Sequence, residues 1–242
     1  MKVDYKSVIG KLACNSVYKE IASLQSSWTL QDKTTPFFTL GKPAYLNFPK
    51  KDYFVDQEKN NKLLTGKFAL LYDTVFRNLA AILGAPVVFG EKLNVPGFHI
   101  FLSHKKMTAN YIPVPHIDIQ VLYVLGNDIK LNDFASFTLC IDAPDTCSGL
   151  EVWEPAKPLR EDIISQLSAD SIGYMSKGPL ANYVAESRLK KPKFIQYTPG
   201  YMVVHHGLFF HRPVIATAGQ LRPRITLQGH CVKKDGKFIA FW

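Results

Sequence analysis

Residues 199–230 read PGYMVVHHGLFFHRPVIATAGQLRPRITLQGH. Within and just beyond this stretch, YMVVHH, FFHRPVIAT and PRITLQGHCV are short runs rich in Val, Ile, Phe and Thr, set off by Gly and Pro. β-branched and aromatic residues fit a pleated, half-buried surface, and Gly and Pro punctuate it, so each run predicts a strand. Outward from here the pattern recurs in GFHIFLS (from 97), HIDIQVLYVL (from 116), SFTLCID (from 136), GLEVWE (from 149), KFIQYT (from 193) and the C-terminal KFIAFW. Asp235-Gly236 has the chemistry of a type I′ turn and predicts a closing hairpin. Many short strands at this spacing predict a sandwich, barrel or jelly roll.

Before residue 97 the period differs. Leu64, Phe68, Leu71, Val75, Leu79 and Ile82 recur at three and four, predicting a helix over 64–82 stopped by Gly84 and Pro86. Val8, Leu12, Val17 and Ile21 suggest a second over 7–24, and 29–56 reads as loops and short extended pieces. Residues 155–193 interrupt the strand spacing and read as an insertion of one or two short helices, either a lid or a surface excursion. The expected organisation is one domain over 1–242, mainly β with flanking α. Residues 1–96 form a mainly helical support, and 97–242 form the β core.

Composition narrows the class. Apolar residues make up 47% of the chain and aromatics 12%, a globular profile. The net charge of +9 is scattered in short pieces such as KKPK at 190–193, so it reads as solvated surface, without nucleic acid or membrane as partner. Four cysteines without a CxxC pair exclude a zinc ribbon or dense disulfide framework. The N-terminus lacks an apolar signal core and no run of 18 apolar residues occurs, so a soluble, cytoplasmic protein is expected.

The chemistry sits in two places. Strand residues i and i+2 share a face, so His116-x-Asp118 aims an imidazole and a carboxylate at one spot. Two histidines and a carboxylate hold Fe(II) on one face and leave positions open, which makes this pair two ligands in need of a third. A hydrogen-bonded His–Asp pair without metal would also explain it. His205, His206 and His211 all compete for the third position, and parity cannot decide because Gly207 can turn or bulge the backbone. Arg222 and Arg224 compete similarly downstream. His99, alone in an apolar run, reads as a hydrogen-bonded core histidine.

The order His-x-Asp, SGLEVWE, PGYMVVHHGLFFHRPV and then RIT resembles the Fe(II)/2-oxoglutarate-dependent oxygenases over roughly 97–242. The resemblance implies a double-stranded β-helix (jelly roll) core, and Fe(II), 2-oxoglutarate and O2 as cofactors and cosubstrates. It implies His116, Asp118 and His211 as metal ligands. Arg224, thirteen residues after His211, and Thr226 would bind the distal carboxylate of the oxo acid. His205 and His206 then take supporting roles. Related halogenases have Gly or Ala where this chain has Asp118, so hydroxylation with release of succinate and CO2 is expected. PGFHIF, SGLEVW, RITLQGH and the C-terminal FW further resemble small oxygenases that halogenate or hydroxylate free amino acids, lysine among them. On that reading Glu151, Trp153, Gln228, His230 and Trp242 are candidate substrate contacts. The alternatives are a protein side-chain hydroxylase and a non-catalytic jelly-roll binding module.

Overall fold

The computed structural model describes residues 2–32, 36–44, 50–102, 115–118, 124–125, 133–144, 148–154, 190–214 and 223–242. The helices are α1 (Lys11–Ser23), α2 (Lys50–Phe54), α3 (Gln57–Lys67) and α4 (Ala69–Leu83). Four strands belong to the N-terminal part: β1 (Asp4–Ser7), β2 (Thr29–Asp32), β3 (Phe37–Leu40) and β4 (Val87–Phe89). Then come β5 (Gly97–Phe101), β6 (Phe134–Asp142), β7 (Gly149–Trp153), β8 (Lys193–Gln196), β9 (Tyr201–His206), β10 (Phe210–Val214), β11 (Arg224–Lys234) and β12 (Lys237–Phe241).

Among the described residues the larger sheet has nine strands in the order β1-β9-β6-β11-β5-β3-β2, with β12 and β4 branching from β11, and a second sheet runs β10-β7-β8. Every pairing in it is antiparallel except β12 with β4. Strand β11 is the axis: Arg224–Gln228 pairs with β5, His230–Lys234 with β12, and β6 flanks it from Ile225 to Val232. The closing hairpin forms as its turn residues require, with Asp235 at φ 49° and Gly236 at φ 75° between the paired Lys234 and Lys237.

Alternation gives the large sheet two unlike faces. Phe137, Leu139 and Ile141 of β6, with Ile225 and Leu227 of β11, face outward to Ile21, Leu64, Phe68, Val75 and Leu79 of the helices. This satisfies the one-sided apolar helices, each of which needs a sheet face to bury against. The opposite face of the same strands carries Ser136, Thr138, Arg224, Thr226, Gln228 and His230. Part of it closes against the small sheet, where Cys140 and Val203 pack with Leu150, Val152 and Ile195. This is the jelly-roll layout: a greasy outside under helices and an interior lined partly by polar groups.

Several expectations are corrected. The 64–82 helix is two helices meeting at Phe68, whose φ −119° and ψ 25° leave the helical region. Gly66 weakens the helix there, and the break seats the Phe68 ring 4.7 Å from that of Phe98. The stop at Gly84 holds, in a left-handed cap at φ 73°. In α1 the buried face is Cys14 and Ile21, while Leu12 is 84% exposed. Of the expected 116–125 strand, residues 119–123 lie outside the described residues; among the rest, His116 forms a bridge pair with His211, and Val124 and Leu125 are helical. The expected insertion lies outside the described residues from 155 to 189. Cys14, Cys140 and Cys231 are free and buried. Among the described residues no helix is long and apolar enough to cross a membrane.

Candidate metal centre

The His116–Asp118 segment is tied to the β9–β10 turn by its backbone. His116 and His211 exchange two N–H···O bonds of 2.9 Å, and the Asp118 N–H donates to the Gly207 carbonyl at 2.9 Å. One ligand atom from each of His116, Asp118 and His211 lies within 4.8 Å of the others. His116 Nε2 is 4.0 Å from Asp118 Oδ1, His211 Nε2 is 3.5 Å from Asp118 Oδ2, and the two imidazole centroids are 4.5 Å apart. Asp118 and His211 are buried, whereas the His116 side chain is 43% exposed, so the group opens on one side.

Electrostatics favours the ligand form of each buried member. Burial opposes ionisation of Asp118, but His211, His230, His116 and His205 outweigh it and hold its carboxyl well below the usual carboxylate range. Burial lowers His211 to about 3, against the pull of Asp118. At neutral pH these are an anionic carboxylate and a neutral imidazole, the protonation states that metal binding requires. His211 Nδ1 donates to the Phe209 carbonyl at 2.9 Å, which leaves the Nε2 lone pair for a metal. One carboxylate oxygen and two imidazole nitrogens on one face therefore fit a ferrous ion in both chemistry and protonation.

His205 is not part of that group but stands beside it. Its ring centroid is 4.5 Å from that of His211, and its Nδ1 donates to the His206 carbonyl at 2.9 Å. Burial lowers its pKa. His206 turns to the turn region, where its Nδ1 accepts the Leu208 N–H and its ring stacks on Phe209.

Arg224 begins β11 and is 4% exposed, with its guanidinium 4.1 Å over the Phe101 ring and 5.8 Å from that of Tyr197. Thr226, also buried, follows on the same face and accepts from Gln228 Nε2 at 3.2 Å. His99 lies opposite Thr226 across the sheet. Its pKa falls well below normal through burial, then through Arg224 and His230, so the cationic and imidazole ends of this face meet around it. A buried guanidinium beside a hydroxyl is the donor set a dianionic oxo acid needs in a barrel, since a bare carboxylate there costs several kcal/mol.

The other candidate contacts separate. His230 comes to the metal group, its Nδ1 3.7 Å from Asp118 Oδ2. Trp242 is a core residue, 1% exposed and 5.1 Å from the His99 ring. Glu151 and Trp153 alternate with Val152, which lies opposite His211, so they occupy the other face of β7. There Glu151 pairs with Arg212, whose guanidinium sits 5.7 Å from Trp153. Arg222 lies outside the described residues.

Ser136 was not singled out from sequence. Its hydroxyl lies 2.5 Å from Asp118 Oδ2 and 3.0 Å from His230 Nδ1. The available signal was alternation: within an apolar strand, Ser136 and Thr138 place polar groups on one face, as Thr226, Gln228 and His230 do on β11.

The fold and the His–Asp–His group define a double-stranded β-helix with a face suited to a metal. No family model and no curated protein matches the chain. Solved structures do share its fold. An N-substituted L-amino acid dioxygenase from Burkholderia ambifaria AMMD, in complex with α-ketoglutarate, matches with a TM-score of 0.56 at 15% identity, covering 100% of this chain and 86% of that one. The non-heme α-ketoglutarate-dependent carbocyclase SnoK from nogalamycin biosynthesis matches at 0.61 and 13% identity, over 98% and 82%. The epimerase SnoN of the same biosynthesis matches at 0.57 and 11%, over 97% and 79%.

Proposed function

We propose that the chain is an Fe(II)/2-oxoglutarate-dependent oxygenase, a single domain over 1–242, that hydroxylates an unactivated C–H bond of a small molecule, a free amino acid in the first instance. The observation that carries this reading is the convergence of His116, Asp118 and His211 within 4.8 Å on a jelly roll shared with oxygenases of that kind. When bound, ferrous iron with 2-oxoglutarate couples reduction of O2 to decarboxylation of the oxo acid and oxidation of a C–H bond.

The chain's own part is positioning. His116, Asp118 and His211 would hold the metal, and with a carboxylate rather than Gly or Ala at position 118 the reading is hydroxylation rather than halogenation. Arg224 and Thr226 receive the distal carboxylate of the oxo acid, the planar guanidinium supplying a fixed charge that does not titrate. Burial of Asp118, His211 and Arg224 excludes water from the buried side and strengthens each of these contacts. The exposed edge at His116 is where substrate enters.

The dioxygenase from B. ambifaria, named for N-substituted L-amino acids, supports the substrate class. A lysine-like substrate is the narrower form of the proposal and rests on the sequence resemblance alone, because Glu151 is engaged by Arg212. A cytoplasmic setting belongs to the same reading, supported by three free, buried thiols. The test is succinate release from 2-oxoglutarate with Fe(II), screened over free L-amino acids. Stimulated turnover together with a product heavier by one oxygen atom is expected. No stimulation by any of them contradicts the substrate class.

A further inference from the structure

Asp118 has two oxygens, and they sit in different surroundings. Oδ1 is 4.0 Å from His116 Nε2, while Oδ2 is 3.5 Å from His211 Nε2 and 2.5 Å from the Ser136 hydroxyl. The carboxylate can only accept, so the single hydroxyl proton of Ser136 goes to Oδ2. The 3.0 Å contact between Ser136 Oγ and His230 Nδ1 then has one assignment: Nδ1–H donates to the serine lone pair. Strand register makes this arrangement rigid. His230 of β11 lies directly opposite Ser136 of β6, which lies directly opposite His205 of β9. Ser136 is 4% exposed and His230 7%, so no solvent competes for either bond.

We propose that Ser136 and His230 are positioning residues: a relay from His230 through Ser136 pins Oδ2 of Asp118 and so fixes the orientation in which the carboxylate meets the metal beside His116 and His211. The inference rests on the metal-centre reading given above. Its consequence is a carboxylate held in one orientation beside the two imidazoles before any metal binds. Without the hydroxyl, the carboxylate is free to turn about its last side-chain bond and the ligand set loses its preset orientation. Outer partners that fix a ligand in this way typically contribute about 10–100-fold in metal affinity. His230, an expected substrate contact, thereby acts through Asp118.

The experiment is anaerobic titration of the apoprotein with Co(II), read from its visible ligand-field absorption. Wild type is expected to bind Co(II). Ser136→Ala is expected to bind about 10–100-fold more weakly with an altered band envelope, and Ser136→Thr, which keeps the hydroxyl, to stay near wild type. His230→Ala should weaken binding, and His230→Asn, whose amide N–H can replace the Nδ1 donor, should restore it. A Ser136→Ala protein with wild-type affinity and spectrum overturns the relay while leaving the metal centre intact. Failure of wild type to bind Co(II) overturns both. If Ser136→Ala does not fold by circular dichroism, the His230 pair decides: wild-type affinity and spectrum in His230→Ala overturn the relay.

Discussion

Replacing Arg224 with leucine tests the proposed oxo-acid subsite separately from the metal. Arg224 is 4% exposed and its guanidinium lies 4.1 Å over the Phe101 ring, so a carboxylate bound to it would also be withdrawn from water. Removing one partner of a buried, hydrogen-bonded charge pair costs about 3–5 kcal/mol. At roughly 1.4 kcal/mol per decade, Arg224→Leu should weaken 2-oxoglutarate binding about 100-fold to several thousand-fold. Arg224→Lys keeps the charge but loses the planar fork and the stacking on Phe101, and should fall between the two. The assay is anaerobic calorimetric titration of the Co(II)-loaded protein with 2-oxoglutarate. Co(II) affinity itself, measured first, should change little, because the groups acting on Asp118 are His211, His230, His116 and His205, with Ser136 as its hydrogen-bond donor, and not Arg224. A leucine variant that binds 2-oxoglutarate as tightly as wild type would refute the assignment of Arg224.

Other outcomes follow from individual residues. Co(II) at about 100 times its Kd should stabilise the fold by roughly 2.7 kcal/mol and raise the melting temperature; chelator should reverse the shift, and Asp118→Ala should show none. Gly97→Ala should lower the urea midpoint by an amount worth about 1–3 kcal/mol, since an added Cβ would sit 2.2 Å from the Trp242 ring and 2.7 Å from the Leu40 carbonyl. A midpoint unchanged from wild type would contradict that packing. His99 has a folded pKa depressed by burial, Arg224 and His230, while its unfolded value is the ordinary one near 6.5. The unfolded chain therefore binds a proton that the folded chain does not, and this stability is lost as pH falls below about 6.5. Urea melts of His99→Gln against wild type between pH 7.5 and 5.5 should show the slope reduced by up to about 1.4 kcal/mol per pH unit.

Much of the core was legible because the sheet obeys a period of two. YMVVHH is β9 residue for residue, and the runs from 97, 136, 149, 193 and 237 each hold a strand. β1 was not legible: Asp4–Ser7 is exposed at all four positions, and pairing with β9 makes it a strand without any apolar pattern of its own. The His116 run misled in the other direction. Its apolar residues suggested a long strand, whereas the described part is one bridge pair held to His211. His116, Asp118 and His211 stood out because their spacing is local or tied to the Pro-Gly and Arg-x-Thr landmarks. Ser136 did not, because its role depends on register among β6, β9 and β11, strands that meet across 69 and 94 residues of sequence. Glu151 shows the limit of parity: alternation placed it with Trp153 correctly, but which face looked inward became known only once Val152 was found opposite His211.

The most direct test is anaerobic addition of Fe(II) and 2-oxoglutarate to the apoprotein, followed by visible absorption. Chelation of the oxo acid on a ferrous ion held by His116, Asp118 and His211 should give a stoichiometric metal-to-ligand charge-transfer band in wild type and none in His211→Ala. No band in wild type, or an equal band in the variant, would contradict the metal centre on which the account stands.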